Sequence, residues 1–313
     1  MPVLAYGTSV PTPAPPPPLY RPWTGIDGMT WTGWDGSVWD LLSLTSGVVL
    51  LNDDVRGLGT PEFTHHTSQA HGVPGARWRG WDTEPRSVLW PVMVYHAGGS
   101  REWLRHHDAF MRSLRPDRTG VWEVRSVMGR RHLTCRLDAD GSDVFPVDPS
   151  LVGWHVYGLR LIAHEPWWVG DPIKTTWRAV SPTQRAFLPA AGQQGFYLTD
   201  PFTSGSAEVT NPGDADAYPT WTLHGPISAG ASVGTQGSVV TVSFSLALGQ
   251  WLRIDTNPDR LTVEDATGSR FADLTGDVGF PPIPPGRDIP LTVNFQGAGS
   301  IEATFSPAYY RAF

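Results

Sequence analysis

His65, His66 and His71 crowd one short stretch of this chain, with Asp53 and Asp54 upstream. Imidazoles and carboxylates in such a group could hold zinc. Their spacing fits no standard ligand pattern and no cysteine supports it, so they read as polar loop residues at a subunit contact. Asp138-Ala139-Asp140-Gly141-Ser142-Asp143 has the alternating oxygen donors that open a calcium loop. It lacks the distal bidentate glutamate, and a turn after a hairpin uses the same residues. Neither a Gly-x-Ser-x-Gly elbow, nor a Gly-rich phosphate loop ending in lysine, nor a His-Glu-x-x-His pair is present. A carboxylate pair for glycosidic chemistry is brought together by the fold and leaves no spacing to read. The expectation is no catalytic set, no cofactor and no metal.

The 15 tryptophans are the other chemical resource. Trp23, Trp31, Trp34, Trp39, Trp78, Trp81 and Trp90 crowd the first part of the chain. Aromatic platforms can stack on sugar rings, but core filling and protein–protein contact, where aromatics and arginine concentrate, explain the set better. Trp78, Arg79 and Trp81, near the Gly72 to Gly80 loop, are the candidate interface anchors; a core role for either tryptophan stays open. Lys174 is the only lysine among 23 basic residues. That bias reads as codon usage in a GC-rich genome, with selection for bidentate arginine contacts as the alternative.

Elements must position these residues. At 313 residues, with 40% hydrophobic and 17% charged side chains, the chain can build two sizeable cores. Its 34 glycines and 30 prolines predict short strands joined by turns, an all-β bias. A formal charge of -7 argues against a dedicated, sequence-specific nucleic-acid binder. Cys135 stands alone, so nothing implies an oxidising compartment. No apolar run is long enough to span a membrane, and the start lacks a secretory pattern.

Residues 1–22 carry the run Pro11 to Pro18, a proline-rich extended arm. Strands are predicted at Ser37 to Leu44, Gly47 to Asn52, Val88 to His96, Gly120 to Val127, Arg131 to Asp138 and Leu151 to His164. Met128-Gly129-Arg130 is the predicted hairpin turn. Trp122 and Val124 share one face of the first hairpin strand. Leu133, Cys135 and Leu137 alternate with a polar set that includes Arg131. One helix, Arg101 to Arg115, puts Trp103, His107, Phe110 and Leu114 on a stripe, with Ser100 as its cap and Pro116 as its stop. After about residue 168 only strands are predicted: Trp177 to Leu188, Gln194 to Leu198, Ala207 to Thr210, Thr220 to His224, Ser238 to Leu246, Gln250 to Asp255, Arg260 to Asp265, Leu291 to Gln296 and Ser300 to Phe305. Turn clusters separate them at sandwich spacing.

The most informative stretch is Asn211 to Pro226, NPGDADAYPTWTLHGP. Asn211 and Asp214 can bond their own backbone, Gly213 can take a positive φ, and Pro212 and Pro219 stop ladders. Gly249 to Thr256, Pro285-Gly286 and Ser306 to Tyr310 follow in order. Together with Gly59-Thr60-Pro61, the single helix and Glu165-Pro166-Trp167-Trp168, this order resembles the distal tail proteins of long-tailed, non-contractile bacteriophages, also called minor tail proteins. Glutamate stands where that family usually has aspartate. The resemblance covers roughly residues 31–313. It implies a mostly β chain: a ring-forming domain with one amphipathic helix over 23–165, and a galectin-like β-sandwich over 166–313. It also implies a virion protein at the tail tip, a homo-hexameric ring joining the tail tube protein to the tail-tip hub protein around a channel for DNA. Cell-wall glycan is a possible further partner. Two rivals are a carbohydrate- or receptor-binding sandwich and an all-β glycoside hydrolase.

Overall fold

Short apolar runs cut by glycine and proline leave this chain little besides strands, and many of those strands bury alternate side chains. The computed structural model describes residues 23–98, 100–141, 148–178, 202–276 and 278–313. The proline-rich arm and the predicted strand Gln194 to Leu198 lie outside those residues. Two compact units result, one reaching Trp168 and including Tyr310–Phe313, the other spanning Val169–Tyr309. The fold is mostly β, as expected.

In the first unit, β1 (Ile26–Thr32), β2 (Val38–Asp40), β3 (Val48–Leu50), β4 (Phe63–Ser68), β5 (Arg77–Thr83) and β6 (Arg86–Tyr95) precede helix α1 (Ser100–Arg112). Then come β7 (Gly120–Ser126), β8 (Gly129–Asp140), a single turn α2 (Pro149–Val152) and β9 (Trp154–Ala163). Seven strands form an antiparallel path in the order β2-β1-β7-β8-β9-β6-β3. Among the described residues β4 and β5 pair only with each other.

Four fully buried tryptophans run through this unit's core in edge-to-face contact. Trp31 meets Trp90 at 5.3 Å, Trp90 meets Trp122 at 5.0 Å, and Trp122 meets Trp168 at 5.0 Å. Each such pair adds about 0.5–1.5 kcal/mol beyond the area it buries. Trp31 and Trp90 thus fill the core, while Trp34, Trp78 and Trp81 stay exposed.

Helix α1 buries Trp103 and Phe110 as phased. The Trp103 indole donates to Val94 O at 3.3 Å, and Phe110 meets Trp39 edge-on at 5.4 Å. Ser100 is the first helical residue and not the cap. The helix stops at Arg112, short of Arg115, because Ser113 turns back: its N–H and its hydroxyl both donate to Phe110 O.

Three further expectations for this unit differ from the structure. The hairpin turn is Val127-Met128, and Gly129, at φ +103°, already begins β8. Leu151 to His164 is not one strand. Asp148 accepts a hydrogen bond from Ser150 N–H, Pro149 follows, and Gly153 at φ +76° closes α2 before β9 begins. Arg131 lies on the buried face with Leu133 and Cys135, and its guanidinium donates to Arg311 O at 2.8 Å.

The second unit is a two-sheet sandwich. β10 (Trp168–Gly170) leads in and pairs with the last strand, β22 (Ala308–Tyr309). β11 (Ile173–Arg178), β21 (Ser300–Phe305), β13 (Thr220–His224), β16 (Trp251–Asp255), β17 (Thr262–Asp265) and β18 (Gly268–Ser269) form one sheet in that order. β12 (Phe202–Thr210), β20 (Asp288–Gln296), β14 (Ala231–Thr235), β15 (Ser238–Val242) and β19 (Leu274–Gly276) form the other. Trp221, Leu252 and Ile301 of the first sheet share one core with Val233, Leu291 and Phe295 of the second. The turn before β13 is built around Asn211. Its amide donates to Ala215 O at 2.8 Å and Ile283 O at 2.9 Å, and its oxygen accepts from Gly213 N at 2.9 Å. Gly213 is required for a different reason than a positive φ: a Cβ there would sit 2.6 Å from Ala308 O.

Candidate functional site

β4 and β5 make a hairpin arm standing outside the seven-strand path, and most of its residues are exposed. An isolated two-stranded ribbon is marginal in water, so an arm of this kind needs a partner surface or a firm root. Its register shifts between His66 and Thr67. His65 pairs with Trp81, His66 with Gly80 and Thr67 with Trp78, which leaves Arg79 as the extra residue of a bulge.

That bulge decides the chemistry of the arm. Directly paired residues point to the same face of a ribbon. Phe63, His65, Thr67, Trp78, Trp81 and Thr83 therefore share one face. Thr64, His66, Ser68, Gly80 and Asp82 take the other. Side-chain contacts agree with this assignment. Phe63 and Trp81 meet at 4.8 Å, and the Trp78 indole donates to His65 Nδ1 at 3.3 Å. On the opposite face His66 Nε2 meets Asp82 Oδ2 at 2.6 Å and Thr64 donates to Glu84 at 2.8 Å. Arg79 Nε donates to Ser68 Oγ at 2.8 Å, which pins the bulge.

The arm thus has an aromatic face and a polar face. Trp78 keeps 59% of its surface open and Trp81 keeps 40%, with Val73 exposed in the connecting loop. At the root, Tyr310 packs against Phe63 at 5.5 Å and Trp167 at 5.3 Å. Trp78, Arg79 and Trp81, singled out from sequence, are brought together here. Sequence reading missed Phe63 and Tyr310, whose roles depend on long-range pairing.

The histidines divide. His65 and His66 lie on opposite faces of the arm, and His71 is in its loop. No group of three or more metal-ligating side chains occurs among the described residues. Of the candidate calcium loop, Ser142 and Asp143 lie outside the described residues. A second histidine group lies under α1. Burial lowers His106, which also faces His96; it likewise lowers His107, which stacks on Trp103 at 4.9 Å, and His155. Burial pushes the Cys135 thiol up, leaving it an inert core residue. Among the described residues no helix is long and apolar enough to cross a membrane.

Compared with solved structures, the chain matches the crystal structure of the SPP1 Dit protein, described as a paradigm of the hub adsorption apparatus in phages infecting Gram-positive hosts. The TM-score is 0.60 at 15% identity, covering 90% of this chain and 98% of that one. The fold is Dit-like. A second match, in the phage p2 baseplate in its activated conformation with calcium, has a TM-score of 0.52 at 11% identity, covering 88% of this chain and 97% of that one. The strontium form of the same baseplate gives 0.51 at 11% identity, with the same coverage. The Dit-like fold accounts for both units, since the match spans nearly the whole of each chain. No family model and no curated protein sequence matches the chain.

Proposed function

We propose that this chain is a distal tail protein: a structural virion subunit, without enzymatic activity, that forms a hexameric ring at the tail tip. The ring joins the tail tube protein to the tail-tip hub protein and leaves a channel for DNA. The observation that carries this reading is the Dit-like fold over nearly the full length of both chains, together with an arm whose Trp78 and Trp81 remain exposed. The first unit is the ring-forming part, and the second is the peripheral module.

A closed ring needs a heterologous contact, in which one patch of each subunit meets a different patch of the next. A two-faced arm suits that task. Trp78 and Trp81 supply apolar anchors, and Arg79, His66 and Asp82 supply a polar rim, the composition typical of tight interfaces. The formal charge of -7 suits a channel that DNA passes without sticking.

The carbohydrate-binding alternative gains less support. Each tryptophan of the described second unit, Trp177, Trp221 and Trp251, is buried or half-buried. A sugar platform needs its rings open. A reconstruction of the tail tip tests the proposal, with six copies of this chain expected around the tail axis. Density for it in a side fibre would overturn the reading, and a glycan-binding assay on the purified protein separates the alternative.

A further inference from the structure

The arm's ladder stops at its own two strands, so its orientation is set at the root. The segment just before it, Gly57-Leu58-Gly59, is held by Trp168, whose Nε1 donates to Gly57 O at 3.0 Å, and by two further sources. Arg86, 2% exposed, donates through Nη1 to Gly57 O at 2.9 Å and to Gly59 O, and through Nε to Pro166 O at 2.6 Å. Its Nη2 donates to Tyr310 O at 2.8 Å. Leu58 O accepts from Ala312 N at 2.9 Å, and Ala312 is 1% exposed. Arg131 holds the intervening Arg311 O.

Within Tyr310–Phe313, Ala312 therefore bonds to the arm's lead-in through the main chain, and Tyr310 O is tied to it through Arg86. They also reach the arm through a side chain. The Tyr310 ring sits 5.5 Å from Phe63 on β4 and 6.5 Å from Trp81 on β5, with Trp167 behind it at 5.3 Å. One ring touches both strands at the root, on the aromatic face.

We propose that Tyr310–Phe313 is a strap that fixes the root of the β4–β5 arm and so sets how its Trp78 and Trp81 face is presented. Tyr310 is the positioning residue: it acts on the docking face through Phe63 and Trp81. Arg86 serves the strap from below. A buried guanidinium met by carbonyl dipoles alone needs all of its acceptors. Tyr310 O is one of them, so seating the strap and satisfying Arg86 are one event. Burial lowers Arg86 to about 10, consistent with a cation whose only compensation is these carbonyls. The strap's importance for assembly rests on the reading that the arm is the ring contact; its effect on the arm does not.

Hydrogen–deuterium exchange on the full chain carrying Tyr310→Ala separates the two. Amides of β4 and β5 should exchange about tenfold faster or more, while those of β7 and β8 keep parental rates. Tyr310→Leu, which keeps apolar bulk but cannot touch both strands, should give the same pattern and serves if the alanine variant does not fold. Parental exchange in the arm overturns the strap. Faster exchange throughout the unit also overturns it, because Tyr310 would then be an ordinary stabilising residue. A loosened arm with undiminished ring assembly leaves the strap standing and sinks the arm as the ring contact.

Discussion

Trp78 and Trp81 stand on the same face of one ribbon although regular alternation along β5 would oppose them. The bulge at Arg79 supplies the missing half-period, and the pairings of His65 with Trp81 and Thr67 with Trp78 record it. Two exposed indoles thus lie on one side of the arm, as the proposed contact with another subunit requires.

Trp78→Ala should leave stability within about 0.5 kcal/mol of the parent, because the side chain is mostly exposed and packs on no core. Ring assembly on tail tubes should fall sharply. Thermal melts and electron microscopy of assembled tips read the two effects separately. A variant that assembles normally removes Trp78 from the interface.

Phe110→Ala should cost about 3–5 kcal/mol, since the ring is fully buried under α1 against Trp39. Denaturant melts measure this directly. A parental midpoint would mean that the helix repacks over the void.

Asn211→Ala should destabilise the second unit by about 3 kcal/mol, because three backbone groups lose their partner at a buried site. The variant should keep the first unit's exchange rates. Loss spread over both units would contradict a local turn-fixing role.

Stability should decline as pH falls from about 7.5 to about 5.5. His106, His107 and His155 are all lowered in the folded chain, chiefly by burial. The unfolded chain protonates first, near the ordinary histidine value of about 6.5, and gains relative to the fold below it. Neighbouring Asp108 and Asp140 oppose the shift at His107, and Asp140 opposes it at His155, so the decline should be gradual. Urea midpoints across that range test it, and His107→Gln should flatten the curve. A midpoint that rises on acidification would refute the assignment.

Strong periodicity was readable. The stripe of α1 was phased correctly, and β13 and β21 occupy the predicted residues because their alternation is clean and both ends are punctuated. β14, Ala-Ser-Val-Gly-Thr, leaves little signal in sequence because small residues carry little strand propensity, yet it lies buried between β20 and β15. The alternation in β8 does not mark Arg131 as buried, because its carbonyl partner, Arg311, lies far along the chain. The candidate arm was legible as Trp78, Arg79 and Trp81, but its two faces were not. A one-residue bulge leaves no mark in composition and inverts every side chain beyond it.

The contact between Arg86 and Tyr310 spans 224 positions, and the whole second unit is made between them. At about 5–20 residues per second, a ribosome needs about 11–45 s to cover that distance. Throughout that interval the nascent first unit lacks the strap at the arm's root. The Arg86–Tyr310 contact therefore cannot form until translation has passed the second unit.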